Sequence, residues 1–269
     1  MKLGIIGCGK MGSALVGGVV SAGVVEGSNV LGAVRPTTSQ EVKDHFLDAT
    51  GGQITDQIED LAECDVVLLG TKPHDIKEAL SALSAAAKGR SLLAISLAAG
   101  VSLESLESAV GDHIRVIRSM PNTPSLVGKG AAAYCLGRHA TGDDSTLAEK
   151  LLGAVGLAIL VPERLMNAVT GVSGSGPAYV YLMIEAMADG GVRQGLPRAD
   201  AIKLAAQTVY GAASMVIETG QHPAVLKDMV TSPGGTTIAA LSALETHGLR
   251  SAMIAAVEAA AKRGQELDQ

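Results

Sequence analysis

The chain has 269 residues, of which 47% are apolar and 18% charged, and a formal net charge of -6 at pH 7. This acidic balance, without any cluster of Lys or Arg, argues against a nucleic-acid partner. With four Tyr, one Phe and no Trp, the chain also offers few aromatic surfaces for stacking bases or sugars. The length is sufficient for two domains that each bury a core.

The first 161 residues alternate short apolar runs with helical patterns. Continuous apolar strands that alternate with helices are typical of a parallel sheet covered on both faces. The predicted strands are residues 3–6, 29–34, 65–69, 91–97, 114–118, 130–135 and 157–161, and the predicted helices are 11–22, 76–87 and 103–110. The sequence therefore predicts an α/β fold with a doubly wound sheet in residues 1–161.

Beyond residue 161 the strand signal stops and Ala-rich helical segments follow. Pro177, Pro197 and Pro223 each stand where a helix can begin, and Ser175 precedes the first as a candidate cap. The predicted helices are residues 179–188, 198–218, 236–244 and 249–266. Because several are apolar around most of their circumference, we expect an all-helical second domain, residues 162–269, that forms an oligomer.

The longest uncharged run, Leu165 to Ile184, has about the length of a membrane span. The segment from Gly171 to Pro177 interrupts it, which favours buried helices joined by a tight turn, without membrane association. Three cysteines without C-x-x-C spacing favour neither a disulfide scaffold nor a zinc site. The apolar stretch before Cys8 is too short for a signal peptide. We therefore expect a reduced, cytoplasmic protein without a bound metal.

A G-x-G-x-x-G pattern stands at the N-terminus, after a predicted strand and at the start of a predicted helix. In this context the glycines let backbone N–H groups approach a pyrophosphate at the positive end of the helix. A purely structural tight turn is the alternative. The pattern predicts a dinucleotide site, in a Rossmann-type domain, formed by Gly7, Cys8, Gly9, Lys10, Met11 and Gly12.

The end of the second predicted strand lacks the acidic residue that usually binds the ribose hydroxyls of NAD. Arg35 stands there instead, followed by Pro36 and three hydroxyl residues. An arginine beside hydroxyl groups is typical of an anion site, and at this place the expected anion is the 2′-phosphate of NADP. An exposed loop arginine without a ligand is the alternative.

Three further polar segments follow strand ends or open a helix. Thr71-Lys72-Pro73-His74 ends the predicted strand 65–69, where the ligand crevice of an open α/β sheet lies. His74 is there either a general acid or, in the favoured interpretation, a solvated or capping residue. Met120 to Pro124 is rigid and polar. Thr231 to Thr237, the hydroxyl-rich turn, combines two glycines with hydroxyl side chains and predicts a nest for a carboxylate; a simple capped helix is the alternative.

Together these residues resemble pyrroline-5-carboxylate reductase, the last enzyme of proline synthesis, over essentially the whole chain. The matching segments are residues 7–12, 71–73, 98–101, 118–124, 169–179, 189–192 and 226–237, continuing to Leu244-Glu245. Two positions differ from the family pattern. Gln57 stands where an Asn near the adenosine is common, and Met229 stands where a polar residue is usual.

The resemblance implies hydride transfer from NAD(P)H to the C=N carbon of a cyclic imine that carries a carboxylate, which gives L-proline. Arg35 and the missing acidic residue favour NADPH as the cofactor, with NADH as an alternative. Beyond the glycine loop and Arg35, the implied cofactor contacts are Gln57, Thr71, Lys72, Pro73, Ala98, Ala99, Met120, Pro121, Asn122 and Glu163. For Glu163, a surface carboxylate that starts a helix is the alternative.

The resemblance also assigns the substrate to the hydroxyl-rich turn. Ser232, Gly235 and Thr236 would hold its carboxylate, with Gly234 among the contacts, and Thr237 would hydrogen-bond the ring nitrogen and relay its proton. In the family, the substrate lies between this turn and the nicotinamide. The implied assembly is a homodimer through the helical domain, with a decamer of dimers as a larger form.

Two other functions compete with this interpretation. A two-domain hydroxyacid dehydrogenase reduces C=O and typically needs a lysine on the helix after the domain junction as general acid. From Pro177 through Glu185 the sequence has no Lys or Arg. A catalytically inactive nucleotide sensor is the second alternative, and the intact hydroxyl-rich turn argues against it.

Overall fold

The computed structural model describes residues 1–267 and contains an 8-stranded sheet in the order β3-β2-β1-β4-β5-β6-β7-β8. The strands are β1 (Leu3–Ile6), β2 (Val30–Ala33), β3 (Gln53–Thr55), β4 (Val66–Leu69), β5 (Leu92–Ser96), β6 (Ile114–Met120), β7 (Gly130–Leu136) and β8 (Gly156–Leu160). The helices are α1 (Lys10–Ser21), α2 (Gln40–Thr50), α3 (Ile76–Ala87), α4 (Leu103–Glu107), α5 (Gly142–Gly153), α6 (Met166–Val169), α7 (Gly176–Arg193), α8 (Arg198–Thr219), α9 (Pro223–Met229), α10 (Thr236–Thr246) and α11 (Leu249–Leu267).

The chain divides into two compact units. The sheet unit comprises Met1–Ser175 together with the chain from Glu258 onward, and the helical unit comprises Gly176–Val257. The domain boundary after residue 161 was inferred from the sequence pattern, and it stays a prediction. Residues 268 and 269, the last two of the predicted second domain, lie outside the described residues.

The sheet is parallel from β3 through β6, as expected for a doubly wound domain. The predicted parallel arrangement is wrong at one pair, because β6 and β7 run antiparallel, with Ile117 opposite Leu136. The connection from Met120 to Gly130 is too short for the dozen or more residues of a parallel crossover. β8 returns to a parallel pairing with β7 after the intervening helix α5.

Two layers of buried side chains cover the two faces of the sheet. One layer packs α3 and α4 against the sheet, through residues such as Leu80 and Leu106. The other packs α1, α2 and α5 against the opposite face, through Val16, Phe46 and Leu151. With helices on both faces, the Rossmann-type, doubly wound fold class is confirmed, and a helical C-terminal region follows it.

In the helical unit, Pro197 immediately precedes α8, and Pro223 is its counterpart at the first position of α9. The two helices predicted around residue 171 are present as α6 and α7, but the connection between them is helical and not the expected tight turn. A π-helical turn, Thr170–Gly174, follows α6, and the Ser175 N–H donates to the Thr170 carbonyl at 2.8 Å. Pro177 is accommodated because it stands in the first turn of α7, where the N–H groups of a helix have no intrahelical partner.

Candidate active site

An open cleft of about 710 Å³ lies in the sheet unit at the carboxyl ends of β1, β2 and β4. The glycine loop, Arg35 and the turn after β4 all contribute to its lining. The residues at its surface include Gly7, Cys8, Gly9, Val34, Arg35, Pro36, Thr38, Asp56, Ile58, Gly70, Thr71, Lys72, His74, Asp75 and Glu78. Of the predicted cofactor contacts, the cleft brings together Gly7, Cys8, Gly9, Arg35, Thr71 and Lys72, whereas Lys10, Met11, Gly12 and Pro73 lie outside its lining.

The glycine loop fits closely against its neighbours at two of its three glycines. Gly7 has φ +92°, and a Cβ there would lie 2.8 Å from the carbonyl carbon of Gly70. A Cβ on Gly12 would lie 2.6 Å from the Ile5 Cδ1 atom. By contrast, a Cβ on Gly9 would meet nothing within 4 Å. Packing within the protein therefore accounts for the outer glycines, whereas the middle glycine borders open space in the cleft.

Helix α1 begins directly at this open space. Gly9 is its N-cap residue and no side chain caps the helix, so the first N–H groups and the positive end of the helix dipole are available to an anion. Lys10 is exposed and Met11 half-buried in the first turn. The Cys8 side chain is buried beside Gly32, and burial raises the pKa of its thiol to about 12.

Arg35 forms an ion pair across the cleft surface. Its Nη2 atom lies 2.7 Å from Asp75 Oδ2, and the two side chains are 68% and 21% exposed. His74 Nε2 lies 3.4 Å from the same carboxylate oxygen. Asp75 was missed by the sequence analysis, although it directly follows the Thr71–His74 segment, and this position was the available signal.

The turn after β4 holds an unsatisfied polar atom. The Thr71 hydroxyl oxygen is buried and has no hydrogen-bond partner among residues 1–267. A buried hydroxyl without a partner costs free energy, so this atom is suited to a polar group in the cleft. Together with the open face at Gly9, it shows that the residues present fit a bound dinucleotide. Lys72 also lines the cleft, with Pro73 exposed behind it.

Gln57 lies at the edge of this site without lining the cleft. Its Nε2 atom donates to Asp56 Oδ1 at 3.0 Å, and the side chain is exposed. The flanking residues Asp56 and Ile58 do line the cleft. The predicted cofactor role of Gln57 stays a prediction.

The remaining predicted cofactor residues lie after β5 and β6, outside the lining of this cleft. The Asn122 amide joins two segments: its Nδ2 donates to the Ser173 carbonyl at 3.0 Å, and its Oδ1 accepts from Ala131 N–H at 2.9 Å. Met120 packs against Gly174, where a Cβ would lie 2.5 Å from the Met120 Cε atom. Pro121 and Ala98 are buried, and Ala99 is exposed. Asn122 and Met120 therefore connect the end of β6 to the π-helical turn.

Glu163 is held by the protein on both sides. Its Oε1 atom accepts from Leu103 N–H at 2.6 Å, and it lies 3.2 Å from the Nη1 atom of the buried Arg118. The carboxylate thus caps the start of α4 and neutralises a buried guanidinium. Its predicted position near the nicotinamide stays a prediction.

The hydroxyl-rich turn lies in the helical unit, before α10. Gly234 has φ +67°, a conformation that favours glycine, and Gly235 is the N-cap residue of α10 without a side-chain cap. Ser232, Thr236 and Thr237 have no side-chain hydrogen bond within the described part of the chain. Uncapped N–H groups and free hydroxyls are therefore concentrated at one helix start, as a carboxylate nest requires.

The described residues do not favour thiol chemistry, metal binding or a membrane-spanning helix. Cys64 and Cys135 are free and buried like Cys8, and burial raises the pKa of their thiols to about 11 and about 12. Among residues 1–267, no group of three or more His, Cys, Asp or Glu side chains is placed to hold a metal ion. Within the same range, the helices are each too short or too polar to cross a membrane.

Two family models match the chain. Residues 2–100 match the model described as NADP oxidoreductase, coenzyme F420-dependent, and residues 163–267 match pyrroline-5-carboxylate reductase dimerisation. Among curated relatives, the pyrroline-5-carboxylate reductase of Arabidopsis thaliana is 46% identical over 268 residues, which cover 100% of this chain and 96% of the relative. That of Methanosarcina acetivorans is 45% identical, with 99% and 97% covered.

Solved structures agree with these relatives. The pyrroline-5-carboxylate reductase of Coxiella burnetii superposes with a TM-score of 0.93 at 37% identity, covering 100% of this chain and 98% of that one. The Plasmodium falciparum pyrroline carboxylate reductase, solved with NADP bound, gives a TM-score of 0.86 at 32% identity, again covering 100% and 98%. The likeness extends through both units of the chain.

Proposed function

The chain belongs to the pyrroline-5-carboxylate reductase family, and we propose that its cleft binds the dinucleotide while its hydroxyl-rich turn binds the substrate. The protein is an oxidoreductase that reduces 1-pyrroline-5-carboxylate to L-proline at the C=N bond. One observation carries this assignment: 46% identity over 268 residues, a range that includes both the glycine loop and the hydroxyl-rich turn.

In this proposal the sheet unit holds the cofactor, which supplies the hydride when it is bound. The N–H groups at the start of α1 bind the pyrophosphate, with the helix dipole favouring the negative charge. The Thr71 hydroxyl, unpartnered among the described residues, donates to the dinucleotide. The residues after β5 and β6, including Asn122, support the site by fixing the strand ends, and their direct contacts with the cofactor remain part of the proposal.

The helical unit orients the substrate. Ser232, Gly235 and Thr236 bind the carboxylate, with the Thr236 N–H group and the Ser232 hydroxyl as donors, because the Gly235 N–H already donates to the Ser232 carbonyl at 3.1 Å. The Thr237 hydroxyl hydrogen-bonds the ring nitrogen. A protonated imine is already electrophilic, so the protein mainly has to position the hydride donor and acceptor. The exposed Thr236, the half-buried Thr237 and the uncapped Gly235 at the start of α10 support this assignment.

We further propose that the cofactor is NADPH in preference to NADH. Arg35 supports this, because it lines the cleft where NAD-binding domains usually place an acidic residue. Arg35→Ala should raise the KM for NADPH about tenfold or more, the effect of losing a charge-assisted contact of about 1.5–3 kcal/mol. The KM for NADH should stay nearly unchanged. Equal effects on both cofactors would show that Arg35 does not bind the phosphate.

The activity is tested by following NADPH oxidation with 1-pyrroline-5-carboxylate and identifying L-proline as the product. An enzyme of the hydroxyacid dehydrogenase class would oxidise NADPH with a carbonyl substrate and leave the imine unchanged. A nucleotide sensor would bind NADPH without turnover of either substrate. A panel of cyclic imines with both cofactors would then define the substrate range.

For assembly, we propose a homodimer through residues 162–269, with a decamer of dimers as the larger form to be tested by sedimentation. The match of residues 163–267 to a dimerisation model supports the dimer. So do exposed apolar side chains such as Leu182 and Ile217 in the helical unit. We also propose a cytoplasmic location, which the three free cysteines support.

A further inference from the structure

The pair Arg35–Asp75 joins the two loops that border the glycine loop. Arg35 follows β2 and Asp75 follows the turn after β4, and these strands flank β1 on its two sides. Both side chains line the cleft, with Nη2 and Oδ2 separated by 2.7 Å. Any group that binds this end of Arg35 must therefore lie beside the Asp75 carboxylate.

The Asp75 carboxylate does not cap the helix that it precedes. Asp75 is the N-cap residue of α3, but its side chain makes no capping hydrogen bond. Its side-chain contacts within residues 1–267 are Arg35 and, at 3.4 Å, His74 Nε2. A structural role in α3 therefore does not account for the direction of this carboxylate, which faces Arg35 in the cleft.

Other charges in the cleft do not offset Asp75. Asp56 and Glu78 add two acidic side chains to the lining, and Lys72 is the basic side chain besides Arg35. An incoming phosphate group thus meets an acidic environment in which the arginine is already paired. A hydroxyl group, by contrast, can donate to a carboxylate without charge repulsion.

We propose that Asp75 determines how far this enzyme discriminates between its two cofactors, by accepting the ribose 2′-hydroxyl of NADH and opposing the 2′-phosphate of NADPH. The inference rests on the proposed function, in which Arg35 binds that phosphate. An acidic residue at the ribose is the usual basis of NAD binding, and it usually comes from the end of the second strand. Here the fold supplies it from the turn after β4, next to an arginine that favours the opposite cofactor.

The test is cofactor binding to the whole enzyme without substrate, measured by calorimetry for Asp75→Asn. We expect the Kd for NADPH to fall about three- to tenfold and the Kd for NADH to rise by a similar factor, a size between that of an exposed ion pair and that of a fully formed charge-assisted hydrogen bond. KM values should shift in the same directions. Asp48→Asn, the same substitution at an exposed position of α2 outside the cleft, should change neither Kd.

Two further variants separate the possible failures. In Arg35→Ala/Asp75→Asn, the gain in NADPH affinity relative to Arg35→Ala should be smaller than the gain of Asp75→Asn relative to wild type, because the repulsion of the phosphate is relieved but no arginine remains to be released. If Arg35→Ala weakens NADPH but Asp75→Asn also weakens it, Asp75 orients Arg35 and the inference is overturned while the proposed function stands. If Arg35→Ala leaves NADPH binding unchanged, the proposed phosphate contact fails and the inference fails with it. Equal melting temperatures of Asp75→Asn and wild type would confirm that the folded protein is being compared.

Discussion

The sheet unit and the helical unit differ in how they bury apolar side chains. In the sheet unit, large residues such as Leu68 and Leu80 are 0% exposed. In the helical unit, Leu182 and Ile217 are 67% and 80% exposed, and the buried cluster consists of Ala188, Ala201 and Ala205. A single chain therefore completes the core of the first unit, whereas the second presents apolar surface of the kind that partner subunits cover.

The largest effect is expected from a charge in the helical unit. Met183 is half-buried in α7, within the uncharged run. Met183→Lys should give aggregated or inactive protein, because a charge at a desolvated interface has no partner. Ala85→Lys, an exposed position of α3 in the sheet unit, is the matched control and should leave assembly unchanged. Sedimentation at assay concentration checks both; a soluble, fully active Met183→Lys monomer would contradict the comparison.

Truncation of one leucine in each unit tests the difference in how the two units bury apolar side chains. Leu68→Ala removes a fully buried side chain of β4 and should cost about 2–5 kcal/mol of unfolding free energy, irrespective of protein concentration. Leu182→Ala removes a side chain that is exposed in the single chain. If a partner covers it, its cost should be present at high protein concentration and shrink on dilution, because the dissociated chain leaves this side chain exposed with or without the substitution. Denaturation at several concentrations measures this, and a Leu182→Ala variant as stable as wild type at every concentration would show that no partner covers this side chain.

A chemical effect is expected from the hydroxyl-rich turn. Thr237→Ala keeps α10 but removes the hydroxyl proposed to contact the ring nitrogen. Turnover should fall about 10- to 100-fold, in line with about 1.4–2.7 kcal/mol of lost transition-state stabilisation. Thr237→Ser should retain much more activity. If the alanine variant turns over like wild type, the proton comes from another donor.

The smallest effect concerns acid stability in the sheet unit. Burial raises the pKa of Asp144, but hydrogen bonds from Arg115 and from Thr141 outweigh burial and lower that pKa below its usual range. Because the folded pKa is below the unfolded one, the stabilisation is present above about pH 4 and is lost as pH falls through the folded pKa. Asp144→Asn should therefore cost about 1 kcal/mol at pH 7.

Melting temperatures at pH 7 and pH 3 measure this effect. The difference between wild type and Asp144→Asn should narrow at the lower pH, at every protein concentration. A difference that stays constant with pH would mean that the charge of Asp144 is not what stabilises the start of α5.

The sequence patterns predict the strands of the sheet unit better than the helices between them. Seven strands are predictable because each is a run of apolar residues, whereas β3 is a three-residue edge strand with a polar start at Gln53. Helix α2 was missed because most of its residues are polar or charged and Phe46 is the large apolar side chain that it buries. Helix α5 was missed although Thr141 and Asp144 form a capping box, a pattern that is readable in sequence.

The candidate site was predictable where a motif stands next to its own strand. Gly7 to Gly12 and Thr71 were found in this way, and the cleft contains Gly7, Gly9 and Thr71. The ion pair of Arg35 with Asp75 was not predictable, because it joins residues 40 positions apart that meet only when β2 and β4 flank β1. The two protein contacts of the Asn122 amide have the same origin in tertiary structure.

The three buried thiols allow local opening of the protein to be measured by their reaction with alkylating reagents. A thiol with a pKa of about 11 to 12 is almost entirely protonated at neutral pH, and the thiolate is the species that reacts with alkylating reagents. All three cysteines lie in the sheet unit and none lies between residues 176 and 257. The rate of alkylation under native conditions therefore reports opening of the sheet unit around these three positions, and rearrangements confined to the helical unit leave this rate unchanged.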